Sequence, residues 1–381
     1  MTIVVLPVQV YHLTGSPLWV GLLSLAQFVP LITLTLAGGV FADAVDRRRL
    51  LLATEVGMAL SVVGLVANAA VPHPQLWACF VFGALSWAFF SFGAGAYRSL
   101  APRLVPTDQL AAASALNSLY GQLGAIAGPA LAGVLIGRIG YSATYGIDLA
   151  TSSAGFLSIF ALPALAPLGK IVQPGLRSLV EGFRYVRGQQ VVLAFFLLDS
   201  LAMIFGMPNA LFPALAKHVF ADPESVGYLY AAPAAGAALA ALLSGWAGGL
   251  RRQGVAIAVA VAVWGGAIAG FGYADALWLA VLLLAVAGAG DQISAIFRST
   301  IMLTVTPDHL RGRLGGIEFA QVASTPSLGN LEAGVVASLA SLRIAVVSGG
   351  LACIGAVVAV ALLFPTLLRY DARKAVATAA T

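Results

Sequence analysis

Six carboxylates stand where carboxylates are costly: Glu55, Asp148, Asp199, Asp291, Glu318 and Glu332 fall within or at the edges of long apolar runs. An ionisable side chain inside such a run marks a functional group by default. The chemistry open to it is proton exchange, which needs a carboxylate neutral at one stage of a cycle and ionised at another, a range that burial favours. Asp199 lies about nine residues, or about 14 Å, into its run, close to the centre of a 30 Å hydrocarbon layer. It is the first candidate for protonation. Asp291 precedes Arg298 by seven residues, two turns along one helical face, and reads equally as a second coupling group or as an ion pair near a gate. Glu55 and Glu318 sit within a turn or two of arginine clusters and read as gate salt bridges. Asp148 reads as a hydrogen-bonded packing group, and Glu332 as a group near the end of its run. Gln9, Gln27, Asn117, Gln122, Asn209, Gln292 and Gln321 add neutral hydrogen-bonding capacity. Each reads as a cavity lining or as inter-helix glue, worth about 0.6 kcal/mol on average. A cavity of that kind suits a bulky amphipathic solute. The histidines map to loops or span ends, no nucleotide loop, metal-ligand cluster or nucleophile with a positioned base is present, and neither enzyme activity nor a cofactor or metal is expected.

The elements that position these groups follow from composition. Of 381 residues 60% are hydrophobic and 9% charged, against about 25% charged in a soluble domain. Apolar stretches of about 20 residues recur from end to end, so the fold class is all-α, a polytopic helical membrane protein. Pro/Gly and polar clusters divide the chain into spans at about 18–42, 50–71, 76–97, 111–137, 143–164, 190–216, 226–249, 254–273, 277–297, 314–339 and 343–365. "TIVVLPVQVYHLTGSPLW", ahead of them, has an apolar part of about ten residues, too short to cross. It lacks the marks of a signal peptide and reads as the second half of a first helix, so the chain is expected to be shortened at its start. With the loop 43–49 in the cytoplasm, 17 of the 20 Lys and Arg fall on that side, leaving Arg138, Lys217 and Arg343 outside. The positive-inside rule then places both termini in the cytoplasm and the chain in the plasma or inner membrane. The net charge of +5 needs no nucleic acid to explain it, and Cys79 and Cys353 read as small buried hydrophobes.

The chain divides evenly. "PLGKIVQPGLRSLVEGFRYVRGQQ" carries apolar residues at helical spacing with arginines interleaved, an amphipathic helix for the membrane surface. The expected units are a bundle over 1–165, a linker over 166–189, a six-helix bundle over 190–366 and a tail over 367–381. "YRSLAPRLVPTDQL" at 97–110 matches "FRSTIMLTVTPDHL" at 297–310 at an offset of 200, with Arg98 over Arg298 and Asp108 over Asp308. Two bundles in parallel repeat, with a site between them, are the pattern of an alternating-access carrier.

The stretch "GGVFADAVDRRRLLL" at 38–52 resembles the cytoplasmic signature of the major facilitator superfamily: Gly39, Asp43, Arg47 and Arg48, between spans two and three. The resemblance implies a gating loop that latches the state closed to the cytoplasm. "GAIAGPALAG" resembles the glycine-proline motif of antiporter branches, implying a helix-packing role for Gly124, Gly128, Pro129 and Gly133. "PDHLRGRLGGIE" at 307–318, with the opening segment and "VPTDQLAAASALN", resembles the exporter branch that includes the enterobactin exporter and macrolide-efflux proteins. Arg98, Arg298, Asp308, Arg311 and Glu318 are then expected at a cytoplasmic gate. The resemblance implies a proton-driven exporter of a small amphipathic molecule, of drug or siderophore type, working as a monomer in the bilayer. A facilitator or importer of the same fold and a non-transporting remnant are the alternatives.

Overall fold

The computed structural model describes residues 1–98, 100–163 and 176–372, side chains excepted at 36–44, 98, 101–102, 176–180 and 309. Its helices are α1 (Thr2–Thr14), α2 (Pro17–Ala44), α3 (Arg47–Ala70), α4 (Leu76–Arg98), the short α5 (Ala101–Leu104), α6 (Leu110–Phe160) and α7 (Leu176–Gly188). The second half follows with α8 (Gln190–Phe205), α9 (Phe212–His218), α10 (Ser225–Leu242), α11 (Gln253–Phe271), α12 (Leu277–Val305), α13 (Asp308–Leu339), α14 (Leu342–Leu363) and the short α15 (Pro365–Leu368). No strand occurs among the described residues. A lipid-exposed backbone must satisfy its own polar groups, and helices do so within each segment.

Nine stretches among the described residues are long and apolar enough to cross a membrane. One of them holds two spans, because α6 breaks at Gly140, whose φ of 77° and ψ of 179° reverse the chain where a side chain would be strained. α13, more polar but 32 residues long, is the eleventh span. α1 is a half-length helix ended by Gly15 in the left-handed conformation, its N–H closing on Tyr11 O at 2.7 Å. Several expected boundaries shift. α12 runs to Val305 rather than to 297, and α13 begins at 308 rather than 314, because the Thr306–Pro307 pair is the only stop between them. The span expected at 190–216 is interrupted at Gly206, two residues before Pro208, and resumes as α9.

In one half α2 and α3 pack on α4, and α3 and α1 on α6; in the other α10 and α11 pack on α12, and α13 and α14 on α8. Close approach depends on small residues. A Cβ added at Gly236 would run into Ala285 O and one at Gly288 into Pro233 O, which fixes the α10–α12 pair. The halves meet through α2 with α13 and α6 with α10.

Candidate functional site

The contacts joining the halves gather toward the face opposite the arginine-rich turns. A Cβ at Gly133 of α6 would lie 2.6 Å from Gly227 Cα of α10, and one at Gly21 of α2 would lie 2.7 Å from Asn330 O of α13. Tyr11 Oη and His218 Nε2 stand 2.9 Å apart with their rings edge to face, and Arg138 donates to Glu224 at 3.3 Å. Nearer the basic face α6 is uncovered. Residues 114–120 of α6 are all exposed, two full turns with no covered face, including Leu116 and Tyr120.

Between these levels lies a buried charge cluster. Arg298 of α12 and Asp199 of α8, 4% and 3% exposed, form an ion pair. Arg298 Nη2 is also 3.8 Å from Asp291 Oδ1, and the guanidinium lies in the field of Glu318. Gln321 Nε2 of α13 donates to Asp199 Oδ2 at 3.0 Å and to Phe196 O at 3.1 Å. One cation thus faces two carboxylates at contact range, and a proton on either acid balances the charge of the trio. Desolvation makes such an imbalance costly, so the arrangement suits a group that takes up and releases a proton. Asp291 also borders a small cavity with Asn209, Gly206, Phe212, Pro233 and Trp264, whose indole N–H donates to Gly206 O at 3.0 Å across the break after α8.

The structure therefore brings Asp199, Asp291, Arg298, Glu318 and Gln321 together. Arg298 differs from its expected place: it is buried seven residues inside α12 and is not part of an exposed gate. The two repeat segments diverge here, since the first is in a turn at Leu100, its N–H bonded to Tyr97 O, whereas α12 continues as helix through Thr300 to Val305. Asp308 and Arg311 pair at 2.8 Å on the exposed first turn of α13. Asn209 borders the cavity beside Asp291; Gln292 is half-buried on α12. Gln27, beside Gly83 of α4, and the half-buried Gln122 belong to the other half. Asp148 accepts from Thr2 N at 2.9 Å, a cap on α1.

In the loop after α2, the backbone carries Gly39 and Asp43 in the last turns of that helix, and their side chains lie outside the described residues, as does that of Arg98. Asp46 caps α3, accepting from Arg49 N at 3.0 Å. Arg47 is buried, while Arg48 donates to Phe160 O and stacks 5.2 Å over the Phe160 ring, at the end of α6 in the same half. Arg48 thus bridges to a helix C-terminal carbonyl within its own half. In the glycine-proline stretch, Gly133 and the Pro129 carbonyl meet Gly227, but a Cβ at Gly124 would meet nothing within 4 Å and one at Gly128 only Met1 N at 3.8 Å. At this seam the motif therefore contributes Gly133 and the Pro129 carbonyl, while Gly128 faces Met1 of its own half and Gly124 faces open space.

The sequence reading missed the cross-half Tyr11–His218 and Arg138–Glu224 pairs, which no local spacing announces. It also missed the clamp on α7: Glu181 pairs with Arg313 of α13, and Tyr185 donates to Val305 O at 2.6 Å, its phenol pushed above the usual tyrosine range by burial.

The profile of the transmembrane secretion effector family matches residues 7–380. The chain belongs to that family. The enterobactin exporters EntS of Shigella boydii serotype 18 and of Escherichia coli O139:H28 are each 31% identical to it over 354 residues, covering 92% of this chain and 85% of theirs. Among solved structures, a point mutant of the nucleoside transporter NupG superposes with a TM-score of 0.77 at 13% identity, covering 96% of this chain and 95% of NupG. A POT family transporter in complex with a thioalcohol-conjugated peptide superposes with a TM-score of 0.72 at 12% identity, covering 96% and 93%. At that identity these two speak for the fold alone, which is that of the major facilitator superfamily. Membership of the family makes the chain a multi-pass inner-membrane secondary transporter rather than an enzyme.

Proposed function

We propose that this member of the family exports a small amphipathic molecule from the cytoplasm in exchange for protons, by alternating access, with Asp199 and Asp291 as the proton-binding groups. The arginine-rich face is cytoplasmic, as are both termini, under the positive-inside rule. With that orientation the exposed stretch 114–120 of α6 supports a state open to the cytoplasm. Residues 1–165 and 190–366 act as the two rocking units, joined by the linker 166–189, with 367–381 as a cytoplasmic tail and one chain sufficient for transport. Solute enters along the exposed stretch 114–120 of α6. The latch at Gly39, Asp43, Arg47 and Arg48 engages when the cytoplasmic face closes.

The observation that carries the coupling is the sharing of Arg298 by Asp199 and Asp291 in a buried site. Solute displaces the proton in the state open inward, and protonation from outside resets the cluster after release. The relatives' name makes a catecholate siderophore the first solute to try.

Proteoliposomes containing a pH-sensitive dye test this directly. Enterobactin, ethidium and a macrolide are added in turn, and solute movement and proton flux are followed together. The unmodified protein moves at least one of them with opposed proton flux, and D199N abolishes the flux. Solute movement that persists in D199N at the unmodified rate would instead identify a facilitator.

A further inference from the structure

One helix joins the buried cluster to the seam between the halves. α13 supplies Gln321, whose amide N–H group bonds Asp199 Oδ2 and Phe196 O of α8. Nine residues on, the same helix supplies Asn330, whose Oδ1 accepts from Ala210 N at 3.0 Å, beyond the break that ends α8. The backbone of Asn330 and Leu331 lies directly against Gly21 of α2, and a Cβ at Gly334 would lie 2.8 Å from Pro17 O. α13 therefore touches the carboxylate at one level and the opposite half at another.

We propose that Gln321 is the positioning residue through which the charge on Asp199 sets the placement of α13 against α2, so that proton binding at the cluster is felt at the seam. The inference rests on the reading of Asp199 as a proton-binding group. The chemistry of the amide supports it. The Gln321 N–H group needs an acceptor, and an ionised Asp199 Oδ2 is one. A proton on Oδ2 removes its charge and makes that oxygen a donor with only weak acceptor capacity left, so the Gln321 N–H loses its charged partner. Gln321 must then turn its carbonyl toward Asp199 or withdraw to Phe196 O alone. Either change alters the tie between α13 and α8 on one side of Pro326, where the missing backbone N–H lets the helix bend, and so shifts the part of α13 that carries Asn330 and Gly334. A two-state element biased at both ends is what coupling between distant sites requires.

The other groups facing the carboxylate are few. α12 brings Arg298 and Asp291, and α13 brings Glu318. Cys353 of α14 turns to Val261 O of α11, and α11 has no charged residue from Gln253 to Phe271. Glu181 of α7 is taken by Arg313.

The test uses the full chain in nanodiscs without solute, spin-labelled at the exposed positions Leu116 and Leu242. Electron-resonance distances are recorded between pH 5 and 8.5, and infrared spectroscopy follows carboxyl protonation in the same samples. The unmodified protein changes its ratio of near to far distances with pH. Q321L keeps the carboxyl protonation signal but shows a change in that ratio at least tenfold smaller, equivalent to about 1.4 kcal/mol. Q321A, run beside it, carries the same expectation should Q321L not fold. A full pH-driven shift in either folded variant overturns the role of Gln321 while leaving Asp199 in place. A full shift in D199N removes the reading of Asp199, and this inference with it.

Discussion

Arg298 holds two carboxylates apart from lipid, so removing it and removing one of its partners are unequal changes. In R298Q both Asp199, 3% exposed, and Asp291 lose their cation. Stranding one partner of a buried pair costs about 3–5 kcal/mol, whereas replacing both partners by neutral groups is close to neutral. In D199N, Arg298 keeps Asp291 at 3.8 Å and the field of Glu318, so the expected cost is smaller, about half that of R298Q. The double variant R298Q/D199N leaves only Asp291, whose side chain is 34% exposed and partly solvated. It should therefore be more stable than R298Q alone. The coupling energy from the cycle should exceed the cost of D199N, about 2 kcal/mol, and stay within the range of up to about 3 kcal/mol seen for residues in direct contact. Reversible unfolding of the four proteins in mixed micelles, from one detergent condition, supplies the numbers. Additivity within about 0.5 kcal/mol, or D199N costing more than R298Q, would refute the shared-cation account.

The seam between the halves makes a paired prediction. A leucine at Gly227 meets Pro129 O and Gly133 Cα at under 3 Å, so G227L should depopulate the state closed at that face more than tenfold in spin-label distances, while G124A, in open space, should leave it unchanged. Equal behaviour of the two variants would sink the seam. Tyr11→Phe removes the partner of His218 and about 1 kcal/mol, so the same populations should move about fivefold toward opening at that face; no movement means the bond does not hold it. Arg313→Ala removes the ion pair that ties α13 to Glu181, and tryptic cleavage after Arg184 and Arg187 should accelerate several-fold; an unchanged rate would show that the other contacts of α7, Tyr185 among them, hold it without that ion pair.

Much of the architecture is legible in the sequence because bilayer thickness fixes span length and apolar runs report it directly. The eleven spans and the half-length α1 follow from that rule, and Gly140 marks the reversal between two of them. Asp199, Asp291 and Gln321 stand out because polar atoms inside apolar runs have few inexpensive roles. The partnership of Asp199 with Arg298 is not legible. It joins helices 99 residues apart in sequence, and the repeat of Arg98 and Arg298 pointed instead to two equivalent loop arginines. What separates them is the continuation of α12 to Val305, past Met302, where the first repeat carries Pro102 instead. The glycine-proline stretch shows the same limit. Its composition announces close packing, but which glycine is used depends on where the neighbouring helix crosses, and of the three only Gly133 meets α10. The break at Gly206 was readable, since Pro208 follows within two residues in mid-span, yet hydropathy alone runs straight across it.

The central claim is that two bundles tip about a shared cavity, opening one face as the other closes. Two label pairs in the full chain decide it: Leu116 with Leu242 at the basic face, and Arg138 with Glu224 at the opposite one. The account predicts reciprocal change when pH or solute is varied, the first distance shortening in the same fraction of molecules in which the second lengthens. Distances that lengthen together, or a basic face that closes while Arg138 and Glu224 stay in contact, would contradict it.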